Sequence, residues 1–308
     1  MKPAFHRFAH EAMATTFEII VAGEGGTGDS AEYARQAAQA AFHEIDRLEQ
    51  GLSRFIESSD ISRINKLGAR APVRVSVDTF ECLQLARRLH KETGGAFDVT
   101  IGALMSCWRT PEGTSGRPGA KEIAEARKRT GMEQVVLDKE HFTVALKTDG
   151  VLVDMGGIGK GFALDKAAEN LRDWVDEGSG FETALLSGGQ SSVLAMGAPP
   201  GKRGWEVTVE GGQAVPEELL LSDRALSGSG TRVRGRHIVD PRTGRPAEGA
   251  LRAWASCPSA AVSDALSTAF MILSPADIDL YCAEHKDTWA LLLMRNATDN
   301  RLRTFGKQ

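Results

Sequence analysis

Residues 151–165, VLVDMGGIGKGFALD, constrain this chain more than any other stretch. A short β-branched run leads to an aspartate, then to a glycine-rich turn holding one lysine, then to the start of a helix. Glycine is costly to order, so Gly156, Gly157, Gly159 and Gly161 imply backbone that takes φ > 0 or lies directly against something else. A lysine at a helix N-terminus carries the wrong charge for the helix dipole. Lys160 is therefore placed for an anion, and a phosphate is the usual anion at such a turn. Neither standard nucleotide fingerprint fits. Gly157 and Gly159 begin a G-x-G-x-x-G pattern but position 162 is Phe, and Gly161 rather than Ser or Thr follows Lys160. A tight strand-to-helix turn with no ligand is the plain alternative.

The 308 residues allow one large domain or two smaller ones, and 42% hydrophobic with 25% charged residues is ordinary for a globular protein with ample core. A net charge of −4 leaves no electrostatic footprint for nucleic acid. Basic residues gather at 232–245, but among turn residues rather than along a helix. Cys82, Cys107, Cys257 and Cys282 form no C-x-x-C pair, so zinc and redox motifs are unsupported. The N-terminal segment has no apolar signal region, no cysteine precedes Cys82, and no apolar run could span a bilayer. The expectation is a cytoplasmic protein with no membrane insertion.

Strand and helix patterns alternate early and strands cluster late. Residues 15–22 predict a strand, and 31–48 an amphipathic helix with Ala34, Ala37, Ala38, Ala41, Ile45 and Leu48 on one face. A polar turn follows, with a helical start capped by Ser59 or Asp60, and then a helix over 78–93 ended by Gly94 and Gly95. Residues 96–108 read as an irregular, ligand-like loop and 110–119 as a surface excursion. A short helix over 121–130, a hairpin over 134–146 and a helix over 161–174 come next. Strands are expected at 183–186, 192–196, 205–209, 219–223, 252–256 and 289–294, interrupted by helices at 263–273 and 275–285. With no repeat and no composition break, this is an α+β (mixed α/β) chain, a single large domain over 1–308 with a mixed sheet core flanked by helices.

Several segments offer chemistry. In SDALSTAFMIL, 263–273, Leu266, Ala269, Phe270 and Leu273 form an apolar stripe, with Asp264, Ser267, Thr268 and Met271 opposite. Asp264 and Thr268 are i, i+4 neighbours, and a carboxylate beside a hydroxyl can share a hard cation such as Mg2+. The alternative is a helix N-cap on a solvated polar face. In RHIVDPRTGRP, 236–246, His237 could transfer a proton beside a tight turn, or be structural. The double glycine before Asp98, the turn LSGGQSS at 186–192 and the stretch LSGSGT at 226–231 are weak alone. The last of these reads equally as a flexible loop. Together they form an ordered set of ligand-facing turns after strands.

Taken in order, MATTFE, SRF, GGAFDVTIGAL, DMGGIGKGFALD, SGG, SGSG, HIVDPRTGRP and SDALSTAF resemble the ApbE family of flavin transferases, from Met13 to about Leu273. The resemblance implies a protein that binds FAD with Mg2+ and transfers the FMN half to a threonine, or sometimes a serine, of an acceptor flavoprotein, releasing AMP. It implies Asp264, Thr268 and the Gly157 carbonyl as metal ligands. Met13, Phe55, Ala96, Phe97, Asp98, Asp154 and Lys160 fall at the family's FAD contacts, with His237 and Ile238 near the pyrophosphate. His237 is the candidate base, with an aspartate as the alternative. The chain departs from the family where Arg236 precedes His237, where Gly228 begins the Gly-Ser-Gly run, and where Gln190 follows Gly189. An FAD pyrophosphatase giving FMN and AMP, or a non-enzymatic FAD-binding protein, are the competing readings.

Overall fold

A computed structural model describes residues 3–24, 28–108, 116–174, 181–209, 217–230, 238–294 and 302–307. Strands β1 (Pro3–Ala12) and β2 (Thr15–Glu24) form a hairpin around Met13 and Ala14, whose φ values of 51° and 56° are the left-handed pair favoured by a right-twisted hairpin. Helix α1 (Gly28–Leu52) buries the alanine, Ile45 and Leu48 stripe expected of it. Helix α2 (Asp60–Leu67) starts at Ser59, whose hydroxyl accepts the Ser62 N–H, and β3 (Val73–Arg74) leads into α3 (Val77–Glu92), capped in the same way by Ser76.

Next come α4 (Gly102–Cys107), α5 (Ala120–Arg127), the hairpin β4 (Val135–Asp138) and β5 (Thr143–Leu146), and α6 (Gly159–Arg172). Strands β6 (Thr183–Gly188), β7 (Ser192–Met196), β8 (Trp205–Val209), β9 (Glu217–Leu221) and β10 (Arg224–Gly230) follow, then the short pair β11 (Val239–Asp240) and β12 (Arg245–Pro246). The chain closes with β13 (Ala250–Cys257), α7 (Ala260–Phe270), α8 (Pro275–Glu284), β14 (Trp289–Met294) and β15 (Leu302–Phe305).

Eight strands make the main sheet in the order β1-β2-β6-β7-β10-β13-β14-β15, each antiparallel to its neighbours. Successive side chains on a strand point to opposite faces, and both faces are buried. Along β2, Phe17, Ile19 and Val21 join the core beneath α1, α6 and α7, while Ile20 and Ala22 join a second core beneath the β8–β9 hairpin. Along β14, Ala290 and Leu292 face the helices, and Trp289, Leu291 and Leu293 face the hairpin. Two-sided burial explains why β14 reads as a continuous apolar run. The α+β class holds, and among the described residues the parallel pairing is an isolated bridge between Ile101 and Leu152, outside the named strands. A three-stranded sheet, β3-β5-β4, packs its Val73, Val144 and Leu146 into the helix-side core.

Some expectations are corrected. Residues 3–12 form a full strand, which the hairpin register with β2 creates. The segment 96–108 ends in α4 rather than staying irregular. Residues 224–230 are a sheet strand, not a ligand turn or flexible loop, because β7 and β13 pair with both edges of it. Helix α7 begins at Ala260 and its cap is Ser259, so Asp264 is neither an N-cap nor on a solvated face: it is 3% exposed. Met271, placed opposite the apolar stripe, is buried as well. Of the expected excursion 110–119, residues 110–115 lie outside the described residues.

Candidate functional site

The glycine turn meets α7 at one end of the main sheet. Helix α6 takes in the second half of the glycine stretch, so Lys160 and Gly161 lie in its first turn rather than ahead of the helix. Asp264 on α7 accepts the Gly161 N–H at 3.2 Å and lies 3.5 Å from Lys160 Nζ. The anion that Lys160 and the first turn of α6 attract within the chain is thus a carboxylate from far along the sequence, satisfying a donor left free at a helix start. The other carboxylate oxygen of Asp264 is 3.4 Å from the Ser192 hydroxyl at the start of β7.

One turn further along α7, Thr268 Oγ1 lies 3.2 Å from Ser229 Oγ on β10, and Ser229 Oγ also meets Ser267 Oγ at 2.9 Å. Ser267 donates to the Asp264 carbonyl at 2.8 Å. Ser227, two residues before Ser229 and so on the same sheet face, is fully buried with no hydrogen-bond partner for its hydroxyl. Gly157 completes the group: a Cβ built there would stand 3.5 Å from Thr268 Oγ1 and 3.3 Å from the Phe97 ring. Gly157, Lys160, Asp264, Thr268 and Phe97 therefore share one locality.

Asp154, at the start of the turn, is tied to its flank. Its carboxylate accepts from the Gly156 N–H at 2.9 Å and pairs with Arg54 Nε at 3.0 Å, while its own N–H donates to the Val99 carbonyl at 2.7 Å. The Arg54 guanidinium stacks 4.6 Å from the centroid of Phe55, whose ring is 83% exposed. A cleft of about 320 Å3, lined by Arg54, Asn65, Lys66 and Val153 among others, opens beside this pair.

Ala96, Phe97 and Asp98 are all buried. The Asp98 carboxylate turns inward: Thr100 donates to it through its N–H (2.7 Å) and its hydroxyl (2.6 Å), and His90 Nδ1 lies 3.2 Å from the other oxygen. The hydrogen bond to Asp98 raises the His90 pKa, and burial works against it. Met13 sits in the β1–β2 turn, next to the β6–β7 turn because the Gly189 N–H donates to the Thr16 carbonyl. Ile238 is buried, and its carbonyl accepts the Ala247 N–H. His237 lies outside the described residues.

Sequence reasoning missed Arg54, Asp165, Ser192, Ser229 and Ser267 as members or supports of this group. Arg54 sits inside SRF, and the three serines inside the segments LSGGQSS, LSGSGT and SDALSTAF, so each was visible only as part of a weak motif. Asp165 closes DMGGIGKGFALD, so it too was visible only as part of a motif.

The oxygens gathered here are the Asp264 carboxylate and the hydroxyls of Ser192 and Thr268. They suit a small hard cation that completes its shell with phosphate oxygens and water. Among the described residues no three His, Cys, Asp or Glu side chains gather as a metal-binding group, so a site of the zinc type is not what this chemistry resembles. Among the same residues, no helix is long and apolar enough to cross a membrane.

Fold and site together define a protein that brings a glycine turn, a lysine at the helix start behind it and an oxygen-rich helix face to one end of an antiparallel sheet. The chain belongs to the ApbE family, whose model matches residues 13–293. It is 28% identical over 312 residues to an FAD:protein FMN transferase of Haemophilus influenzae, covering 94% of this chain and 86% of that protein. The ApbE protein of Thermotoga maritima superposes with a TM-score of 0.83 at 26% identity, over 98% of this chain and 97% of the other. The flavinyl transferase ApbE of Pseudomonas stutzeri, in its apo form, shares the fold with a TM-score of 0.84 at 22% identity, over 99% of this chain and 96% of that one.

Proposed function

We propose that this chain is an FAD:protein FMN transferase: it moves the FMN half of FAD, with Mg2+, onto a threonine or serine hydroxyl of an acceptor flavoprotein and releases AMP. The observation that carries the reading is the meeting of Gly157 and Lys160 with Asp264 and Thr268, in a chain of the ApbE family. The name borne by its relatives supports the same activity. A buried cluster running from Ala12 to Leu292 supports treating residues 1–308 as one functional unit.

Asp264, Thr268 and the Gly157 carbonyl would hold the cation. When bound, Mg2+ supplies polarisation of the phosphoryl oxygens and holds the pyrophosphate for in-line attack. Lys160 stabilises charge on the departing AMP phosphate. Met13, Phe55, Ala96, Phe97, Asp98, Asp154 and Ile238 bind or frame FAD, with Arg54 holding Asp154 and Phe55 together. The acceptor hydroxyl oxygen forms a bond to the FMN phosphorus, and the bond from that phosphorus to the AMP oxygen breaks. The hydroxyl proton passes to a base, for which His237 is the candidate. AMP leaves with the bridging oxygen.

The test is covalent labelling. Purified protein, FAD and Mg2+ are incubated with flavoproteins from the same cell, and acid-stable flavin fluorescence is read on denaturing gels. Labelling at a threonine or serine is expected. FMN and AMP formed at a rate indifferent to any acceptor would make the chain a pyrophosphatase, and tight FAD binding without AMP would make it a binding protein.

A further inference from the structure

The two helices that build the site cap each other. From α7, Asp264 accepts the Gly161 N–H in the first turn of α6 at 3.2 Å. From α6, Asp165 accepts the Ser259 hydroxyl at 2.6 Å and the N–H groups of Ala260 and Ala261 at 2.7 and 3.0 Å, where α7 begins. Between these contacts the helices touch backbone to backbone, since a Cβ on Gly161 would lie 2.1 Å from the Ala260 carbonyl oxygen. Gly161 and Asp165 are i, i+4 on α6, and Ala260 and Asp264 are i, i+4 on α7, so the contacts form a closed ring. Each helix gives one carboxylate to the free amides and positive end of the other.

We propose that Asp165 is a positioning residue, fixing α7 against α6 so that Asp264 and Thr268 stand level with Gly157 and Lys160. The proposal rests on the reading of that group as the cation and pyrophosphate site. Asp165 does not touch the reacting groups; it acts through Ser259, Ala260 and Ala261. Asp264 follows Ala260 by about one helical turn of ~3.6 residues, so a shift at the start of α7 is carried to it as a rigid displacement. Stability alone would be served by any N-cap on α7, and Ser259 already accepts the Val262 N–H. What Asp165 adds is a tie to the helix that bears Lys160.

Mn2+ binding to the full chain is the test. Free Mn2+ is counted by electron paramagnetic resonance in protein–FAD mixtures on ice, and FAD binding is read separately by flavin fluorescence in EDTA. Asp165→Asn should keep its fold by circular dichroism and its FAD affinity in EDTA, yet weaken Mn2+ binding about 10-fold, as loss of a residue supporting a ligand does. Asp165→Ala should weaken it further. A folded Asp165→Asn protein that binds Mn2+ like wild type overturns the proposal. Should both Asp165 variants fail to fold, Ser259→Asp decides, because it keeps an N-cap acceptor on α7 but replaces the hydroxyl donor to Asp165 with a like charge: weaker Mn2+ binding supports the positioning role and unchanged binding overturns it. Wild-type protein that takes up no Mn2+ with FAD overturns the functional reading beneath it, a result distinct from equal binding by wild type and variant.

Discussion

Gly157 and Thr268 face each other across the gap between the glycine turn and α7, close enough that a Cβ on the glycine would stand 3.5 Å from the threonine hydroxyl. The same Cβ would press the Phe97 ring at 3.3 Å. Gly157→Ala therefore puts a methyl group into the space between two of the proposed ligands. Thermal unfolding of the variant should fall only slightly, because Gly157 does not hold a left-handed φ and the Phe97 ring has only a little way to yield. The Mg2+ concentration for half-maximal turnover should rise several-fold, measured by titrating Mg2+ at saturating FAD.

Asp264→Ala removes the carboxylate that meets Lys160, the Gly161 N–H and Ser192. Mg2+-dependent turnover should fall by more than about 100-fold, beyond the roughly 10–100-fold typical of losing a supporting residue. AMP release followed by chromatography checks it. Turnover equal to wild type would remove Asp264 from the ligand set.

Gly161→Ala tests the helix contact by a separate route. Its methyl would meet the backbone of Ala260 and Ala261, which cannot swing aside like a side chain. Overpacking of this kind costs ~1–3 kcal/mol, and the upper end is expected here. Urea unfolding gives the value, and Mn2+ affinity should drop along with it.

Phe55→Ala separates binding from folding. A ring this exposed contributes little to the core, so unfolding should change by less than about 0.5 kcal/mol. The KM for FAD should rise several-fold, since the variant loses the aromatic surface that Arg54 braces. Initial rates over a range of FAD concentrations measure it.

His90 predicts a pH dependence of stability. Its pKa is raised in the folded chain, chiefly by the hydrogen bond to Asp98. A base whose folded pKa exceeds its unfolded value binds its proton more tightly when folded. The resulting stabilisation is complete below the unfolded value of about 6.5 and disappears as pH climbs through the raised folded value. Urea midpoints of wild type and His90→Gln should thus differ most under mildly acidic conditions and converge in alkali. Parallel curves across that range would mean that the His90–Asp98 pair adds no proton linkage.

The parts of the fold that were legible are those where one pattern dominates. The alanine stripe of α1 and the apolar runs of β7 and β14 need only local periodicity and burial, while the cap of α2 was narrowed to Ser59 or Asp60 and is Ser59. Strand β1 was not legible because Phe5-His6-Arg7-Phe8 does not alternate cleanly and the Met13–Ala14 turn lacks the usual Asn or Gly. Strand β10 was hidden for the opposite reason. Its Ser-Gly-Ser-Gly run reads as a loop, yet a Cβ on Gly228 would sit 2.6 Å from Trp254, and Ser229 is needed for Ser267 and Thr268 on α7.

The site divides in the same way. Lys160 as an anion partner and Asp264 beside Thr268 on one helix follow from charge and spacing. Their meeting does not, because only the packing of α6 on α7 brings the two segments together. The resemblance suggested that pairing before any contact was visible. Asp165 closes the DMGGIGKGFALD segment, but its part in holding α7 is set only by the packing of the two helices.

Counting AMP against covalent flavin in one reaction tests the proposed transfer most directly. Wild-type chain is incubated with FAD, Mg2+ and a threonine-bearing acceptor flavoprotein, and both products are quantified over time. Equal amounts of AMP and acid-stable flavin on the acceptor, with little AMP when the acceptor is omitted, is the predicted result. AMP released at the same rate with and without acceptor, and no flavin retained on any protein, would contradict it.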